Sequence, residues 1–117
     1  MAVKFDIREE TDVLLIDISG RIISDEHLSE TLGMAQGILD KKAFKAVICK
    51  CSKLEYINSS GLNFFVRLLT RSRNHNIDCL LVDLQPAVSK LFSISKLNEV
   101  FCILKTVEEA KQVIIEK

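Results

Sequence analysis

Three short, strongly apolar runs at residues 45–51, 79–84 and 100–104 are separated by stretches that carry apolar residues at helical spacing. Runs this short and this continuous suit strands covered on both faces, and successive parallel strands need crossovers of helical length between them. Two further strand patterns precede them, at 3–8 and 13–18, joined by the polar Glu9-Glu10-Thr11-Asp12, a spacing that predicts an antiparallel hairpin. Ser19-Gly20 is expected to end the second strand. Ser24-Asp25 offers an N-cap for a helix through Leu28, Leu32, Ala35 and Leu39, closed by Asp40-Lys41-Lys42. A second helix is expected over residues 60–73, ended by Asn74-His75-Asn76, and a third from Pro86 through Val88, Leu91 and Phe92. Thr106-Val107-Glu108-Glu109 reads as a capping box before Ala110, Val113 and Ile114. The order β-β-α-β-α-β-α-β-α predicts an α/β fold: a mixed sheet of about five strands with about four helices, opening with an antiparallel hairpin.

Size and charge narrow the function classes. With 117 residues, one proline and four glycines, the chain has room for a single domain over 1–117 and none for a flexible linker. Sixteen basic residues balance sixteen acidic ones, interspersed, so no field draws the chain to nucleic acid or an anionic membrane. No apolar run approaches the ~20 residues of a membrane helix, and the alternating, acid-bearing N-terminus is not a signal peptide. Cys49, Cys51, Cys79 and Cys102 without an export signal point to a reducing cytoplasm.

Few residue constellations suggest chemistry. Cys49 and Cys51 share a strand face, where a C-x-C could take a soft metal, but no histidine is close in sequence and core packing is the expectation. His27 and His75 lie in polar surroundings and are expected to be solvated. Gly33 and Gly37 form G-x-x-x-G on an amphipathic helix, expected to mark close helix packing. Phosphate-loop, dinucleotide and nucleophile-elbow patterns are missing, so neither catalyst nor cofactor is expected. The informative segment is Tyr56-Ile57-Asn58-Ser59-Ser60-Gly61-Leu62, a strand-to-helix turn rich in small polar residues. By itself it reads as a serine cap followed by a glycine.

Taken in order, Gly20-Arg21-Ile22, Asn58-Ser59-Ser60-Gly61-Leu62, Pro86-Ala87-Val88 and residues 97–101 resemble STAS domains, most of all the stand-alone anti-sigma factor antagonists of bacteria. The resemblance extends from the opening hairpin to the last helix. It implies a binding protein and not an enzyme. In that family the first serine of the turn, here Ser59, is phosphorylated by an anti-sigma factor that is itself a serine kinase. The unphosphorylated form binds that partner, and a serine phosphatase resets it.

The partner surface is expected to comprise Asn58, Ser60, Gly61 and Asn63 of the turn and helix, with Ser24 and Asp25 on the nearby loop. Leu62, Phe65, Val66 and Leu69 form one helical stripe suited to the sheet, while Phe64 and Leu68 lie to one side of it. Either a neighbouring helix covers that pair or the two form an apolar anchor for the partner, in which case they belong to the interface.

The chain departs from the family pattern at three positions. Asn58 stands where the antagonists carry an aspartate, Ile23 where another acid is frequent, and Lys50 where an aspartate is common near the end of the third strand. Asp25, two residues on, is the candidate to substitute in space for the acid missing at Ile23. The family also includes unphosphorylated scaffolds that dock on lipid-transport ATPases, and the loss of acids leaves that second role open.

Overall fold

A computed structural model describes residues 3–115. The elements run β1 (Lys4–Glu10), β2 (Val13–Ile22), α1 (Leu28–Leu39), β3 (Ala46–Ile57), α2 (Ser59–Asn74), β4 (Asp78–Val82), α3 (Pro86–Ile94), a 3₁₀ turn (Leu97–Glu99), β5 (Cys102–Leu104) and α4 (Val107–Ile115). The five strands lie in sequence order, β1-β2-β3-β4-β5. β1 is antiparallel to β2, and the remaining pairs are parallel. The expected α/β class, mixed five-stranded sheet, four helices and opening hairpin are all present.

The strand order decides where the core lies. Consecutive parallel strands joined by crossovers of one hand place α1, α2 and α3 on the same face of the sheet. Leu14, Ile16 and Ile18 of β2, Val47, Cys49 and Cys51 of β3, and Cys79 and Leu81 of β4 point into that larger core. The alternate residues Val13, Leu15, Ala46, Ile48, Leu80 and Val82 point the other way, against Ala110 and Ile114 of α4. Burial on both faces is why these strands read as unbroken apolar runs. Through the larger core runs a chain of rings, Phe5–Phe64 at 5.1 Å, Phe64–Phe65 at 5.4 Å, Phe65–Phe92 at 5.6 Å and Phe92–Phe101 at 5.6 Å. Such ring pairs contribute ~0.5–1.5 kcal/mol each beyond the area they bury.

Several expectations are corrected. Ser19-Gly20 does not end β2: Gly20 adopts φ 92°, the ladder shifts register on both sides of it, and the strand continues to Ile22 beside β3. The third strand likewise runs six residues past Cys51, through polar residues that conceal it in the sequence. Ser24 is not the N-cap of α1. Its Oγ accepts from the Glu26 N–H at 3.3 Å in a local turn, and α1 starts at Leu28 behind a left-handed His27 with φ 66°. Gly33 and Gly37 are exposed, and a Cβ on either would meet nothing within 4 Å, so they do not mark a close helix contact among the described residues. His75 is not simply solvated. Its Nε2 lies 3.0 Å from Asp40 Oδ1 and its Nδ1 3.1 Å from the Arg71 carbonyl, linking the end of α2 to the end of α1.

Candidate functional site

The turn from β3 into α2 owes its shape to a few hydrogen bonds and one close approach. At the end of β3 the Asn58 N–H donates to the Ile22 carbonyl at 3.1 Å, which carries the β2–β3 pairing to the edge of the helix. Asn58 has extended backbone angles and is the N-cap: its Oδ1 accepts from the Ser60 N–H at 2.9 Å. Its Nδ2 donates to the Ile23 carbonyl at 3.0 Å and so ties the β2–α1 loop to the turn. Gly61 permits the first turn of α2 to settle on the strand ends. A Cβ there would lie 2.6 Å from Ile57 Cβ and 3.3 Å from Ile22 Cβ.

Ser59 occupies the first position of the helix and is exposed, and among the described residues nothing hydrogen-bonds its hydroxyl. The first turn of α2 holds no acidic residue, while Arg71 and Arg73 lie in the last turn. The helix start is capped by the neutral Asn58 carboxamide, and its dipole favours an anion added at Ser59, although the Asp25 carboxylate lines the adjoining cleft. Ser60 and Asn63 join Asp25, Leu28, Ser29, Phe64 and Arg67 around a shallow cleft of ≈ 200 Å³ between the start of α1 and α2.

The expected interface divides in two. Asp25, Ser60 and Asn63 line one cleft, Asn58 and Ser59 adjoin it in the turn, and Ser24 precedes Asp25 on the loop, with Ser24, Asp25, Ser59 and Asn63 exposed. Phe64 and Leu68 are buried, at 1% and 0% exposure, and are corrected from interface to core. Phe64 packs on Phe5 of β1, and α1 packs along α2, so the neighbouring elements cover both side chains. Gly61 is also buried and acts through packing, with no surface of its own. The stripe expected to face the sheet is rotated: Val66 is exposed, and Gly61, Phe64, Phe65, Leu68, Leu69 and Ser72 form the buried side of α2.

Exposed apolar residues flank the turn elsewhere. Ile23 is 58% exposed in the loop that Asn58 holds, and Tyr56 is 43% exposed just before the turn, with the Arg21 guanidinium 5.3 Å from its ring centre. Tyr56 and Arg21 are register partners on the extended ends of β3 and β2. Only a reading that carried both strands past Gly20 and Cys51 could have paired them. Lys50 stands well away from the turn: six residues of strand separate it from Ile57, roughly 20 Å along the chain. It lines a cleft of ≈ 330 Å³ on the α4 side with Arg8, Asp83, Lys105 and Glu108, so its charge does not bear on Ser59.

A further cleft of ≈ 560 Å³ opens near the hairpin turn beside α4, lined partly by the ion-paired Lys45–Asp12 and Lys111–Glu10. Neither α4-side cleft contains Ser, Cys or His side chains that could act as a nucleophile and base pair. The buried cysteines are core residues. The adjacent Cys79 thiol and burial hold the Cys49 thiol well above its ordinary range, and burial does the same for Cys51. Among the described residues no three His, Cys, Asp or Glu side chains are placed to hold a metal ion, and no helix is long and apolar enough to cross a membrane.

Comparison with known proteins places this geometry. The fold is similar to the unphosphorylated anti-sigma factor antagonist SpoIIAA (TM-score 0.83, 18% identity, 97% of this chain and 98% of that one). It is also similar to an anti-sigma factor antagonist from Mycobacterium paratuberculosis (TM-score 0.78, 18% identity, 97% and 94%). The Bacillus cell fate determinant SpoIIAA in its phosphorylated form matches with a TM-score of 0.69 at 19% identity, over 95% and 99% of the two chains. At such identities the likeness is one of fold. The STAS domain family model, however, matches residues 4–110 of the sequence itself, from the first strand of the hairpin into α4, and the chain belongs to the STAS domain family.

Proposed function

We propose that this chain is an anti-sigma factor antagonist: a regulatory binding protein, without catalytic activity, whose partner is an anti-sigma factor serine kinase and whose switch is phosphorylation of Ser59. The reading places it in the cytoplasm, with a serine phosphatase restoring the binding form. The observation that carries it is Ser59 itself, exposed and unengaged among the described residues at the first position of a 16-residue helix. A phosphate there adds about −1.5 to −2 charges at neutral pH. The helix terminus favours that charge by ~0.3–1 kcal/mol, so the fold tolerates it. Pressed against a partner and left unpaired, the same dianion costs several kcal/mol, so the complex does not.

The surface that binds is then Ser59, Ser60 and Asn63, with Ser24 and Asp25 on the loop, and Ile23 and Tyr56 supplying the apolar contact expected of Phe64 and Leu68. The test is the intact mass of the native protein from cells, beside a Ser59→Ala variant grown identically. A species heavier by one phosphate, absent from the variant, is the expected result. An unmodified mass under every growth condition overturns the switch and leaves the constitutive scaffold, docked on a larger assembly such as a lipid-transport ATPase, as the reading to pursue.

A further inference from the structure

We propose that Asn58 is the positioning residue through which the chemical state of Ser59 reaches the β2–α1 loop. The inference rests on Ser59 being the modified residue. The Asn58 carboxamide is used at both ends: Oδ1 accepts from the Ser60 N–H at 2.9 Å, and Nδ2 donates to the Ile23 carbonyl at 3.0 Å. An aspartate could cap the helix equally well but has no proton to give Ile23 at neutral pH, and its oxygen would face that carbonyl lone pair to lone pair. A serine hydroxyl could cap as well and has a proton to donate, but its oxygen sits one bond nearer the backbone, and while it engages the Ser60 N–H it falls short of the Ile23 carbonyl. The asparagine thus does something here that neither an aspartate nor a serine can.

The loop is anchored at its ends by buried Ile22, whose carbonyl accepts from the Asn58 N–H at 3.1 Å, and by buried Leu28, and between them little else fixes it. The Glu26 N–H donates to Ser24 Oγ at 3.3 Å and the Leu28 N–H to the Asp25 carbonyl at 3.2 Å, both bonds internal to the loop. Ile23, Ser24 and Asp25 are exposed, so where they stand relative to Ser59 is set largely by the Asn58 tether. A phosphate on Ser59 lies beside the Ser60 N–H that Asn58 now occupies. Charge-assisted hydrogen bonds are about twice as strong as neutral ones, so phosphate oxygen displaces Asn58 Oδ1 from that donor and repels it. The carboxamide turns away, Ile23 is released, and the loop no longer presents Ile23 and Asp25 in the binding arrangement. Phosphorylation then acts twice on the partner surface, by its charge and by freeing the loop.

The experiment needs no partner. Amide hydrogen exchange over residues 24–28 is measured for the native chain, Asn58→Ser, Ser59→Asp and the double variant. Asn58→Ser keeps a cap and loses the tether, so loop exchange should rise roughly fivefold, the worth of one net hydrogen bond. Ser59→Asp should raise it when Asn58 is present and add nothing once Asn58→Ser has been made, as expected of two changes acting through one element. Unchanged exchange in Asn58→Ser, or an equal effect of Ser59→Asp with and without Asn58, overturns the proposal. Asn58→Asp, which likewise keeps a cap and loses the tether, repeats the test should Asn58→Ser prove poorly folded. The two readings fail separately. An unmodified Ser59 in cells removes the switch while the tether can still be measured, whereas a failed cycle with a phosphorylated Ser59 removes only the coupling.

Discussion

The first turn of α2 and the two turns after it share one helix and serve opposite ends. In the first turn, Ser59 is exposed and a neutral side chain caps the helix. One turn later Phe64 is sealed between Phe5 and Phe65, and Leu68 shows no surface at all. Gly61 stands between the two regimes, since only a residue without Cβ lets the exposed turn rest on Ile57 and Ile22. The contrast teaches that the site is a small polar tip on a rigid, aromatic-packed rod. Changes at the tip should alter recognition, and changes along the rod should alter folding.

Phe64→Ala probes the rod most severely. It should destabilise the fold by ~3–5 kcal/mol, read as a shift in the urea midpoint, with Leu68→Ala somewhat less damaging. A Phe64→Ala protein of native stability would break the comparison. Gly61→Ala comes next, at about 1–3 kcal/mol, because the backbones of α2 and β3 must separate to admit the methyl group. Asn58→Ala should cost ~0.5–2 kcal/mol for the lost cap, sharpening the boundary between tip and rod. Ser59→Ala and Ser59→Asp should stay within about 1 kcal/mol of the native chain in thermal unfolding, and a larger loss with Asp would show that the tip is structural after all. The cysteines give a check that requires no mutation. Cys102 is exposed and should react with a thiol reagent in the folded protein, whereas buried Cys49, Cys51 and Cys79 should react only on unfolding.

Much of the fold was legible because apolar pattern and turn chemistry agree. The capping box before α4 is one such case: Thr106 Oγ1 accepts from the Glu109 N–H at 3.1 Å, and Glu109 Oε1 reaches back to the Lys105 N–H at 2.8 Å. Where strands leave the core the pattern fades. The last residues of β2 and β3 are held by each other's backbones, and exposed Arg21, Lys53, Glu55 and Tyr56 interrupt buried Ile22, Leu54 and Ile57 there, so the apolar runs stop before the strands do. The site was legible to a similar depth. Ser59 and its polar neighbours follow from residue type and resemblance, but Phe64 and Leu68 could be assigned only by knowing what packs beside α2. Ile23 reads in the sequence as a missing acid, whereas the exposure of its apolar side chain beside the turn depends on how Asn58 holds the loop.

The sequence by itself determined the alternation of strands and helices, the opening hairpin and the serine turn, because these depend on contacts between near neighbours and on the conformational preferences of single residues. The tertiary structure alone decided which apolar residues of α2 are covered, where β2 and β3 end, and that Asn58 joins two segments 35 positions apart. Those outcomes rest on packing and hydrogen bonds between distant parts of the chain, and a local pattern does not encode which distant group arrives.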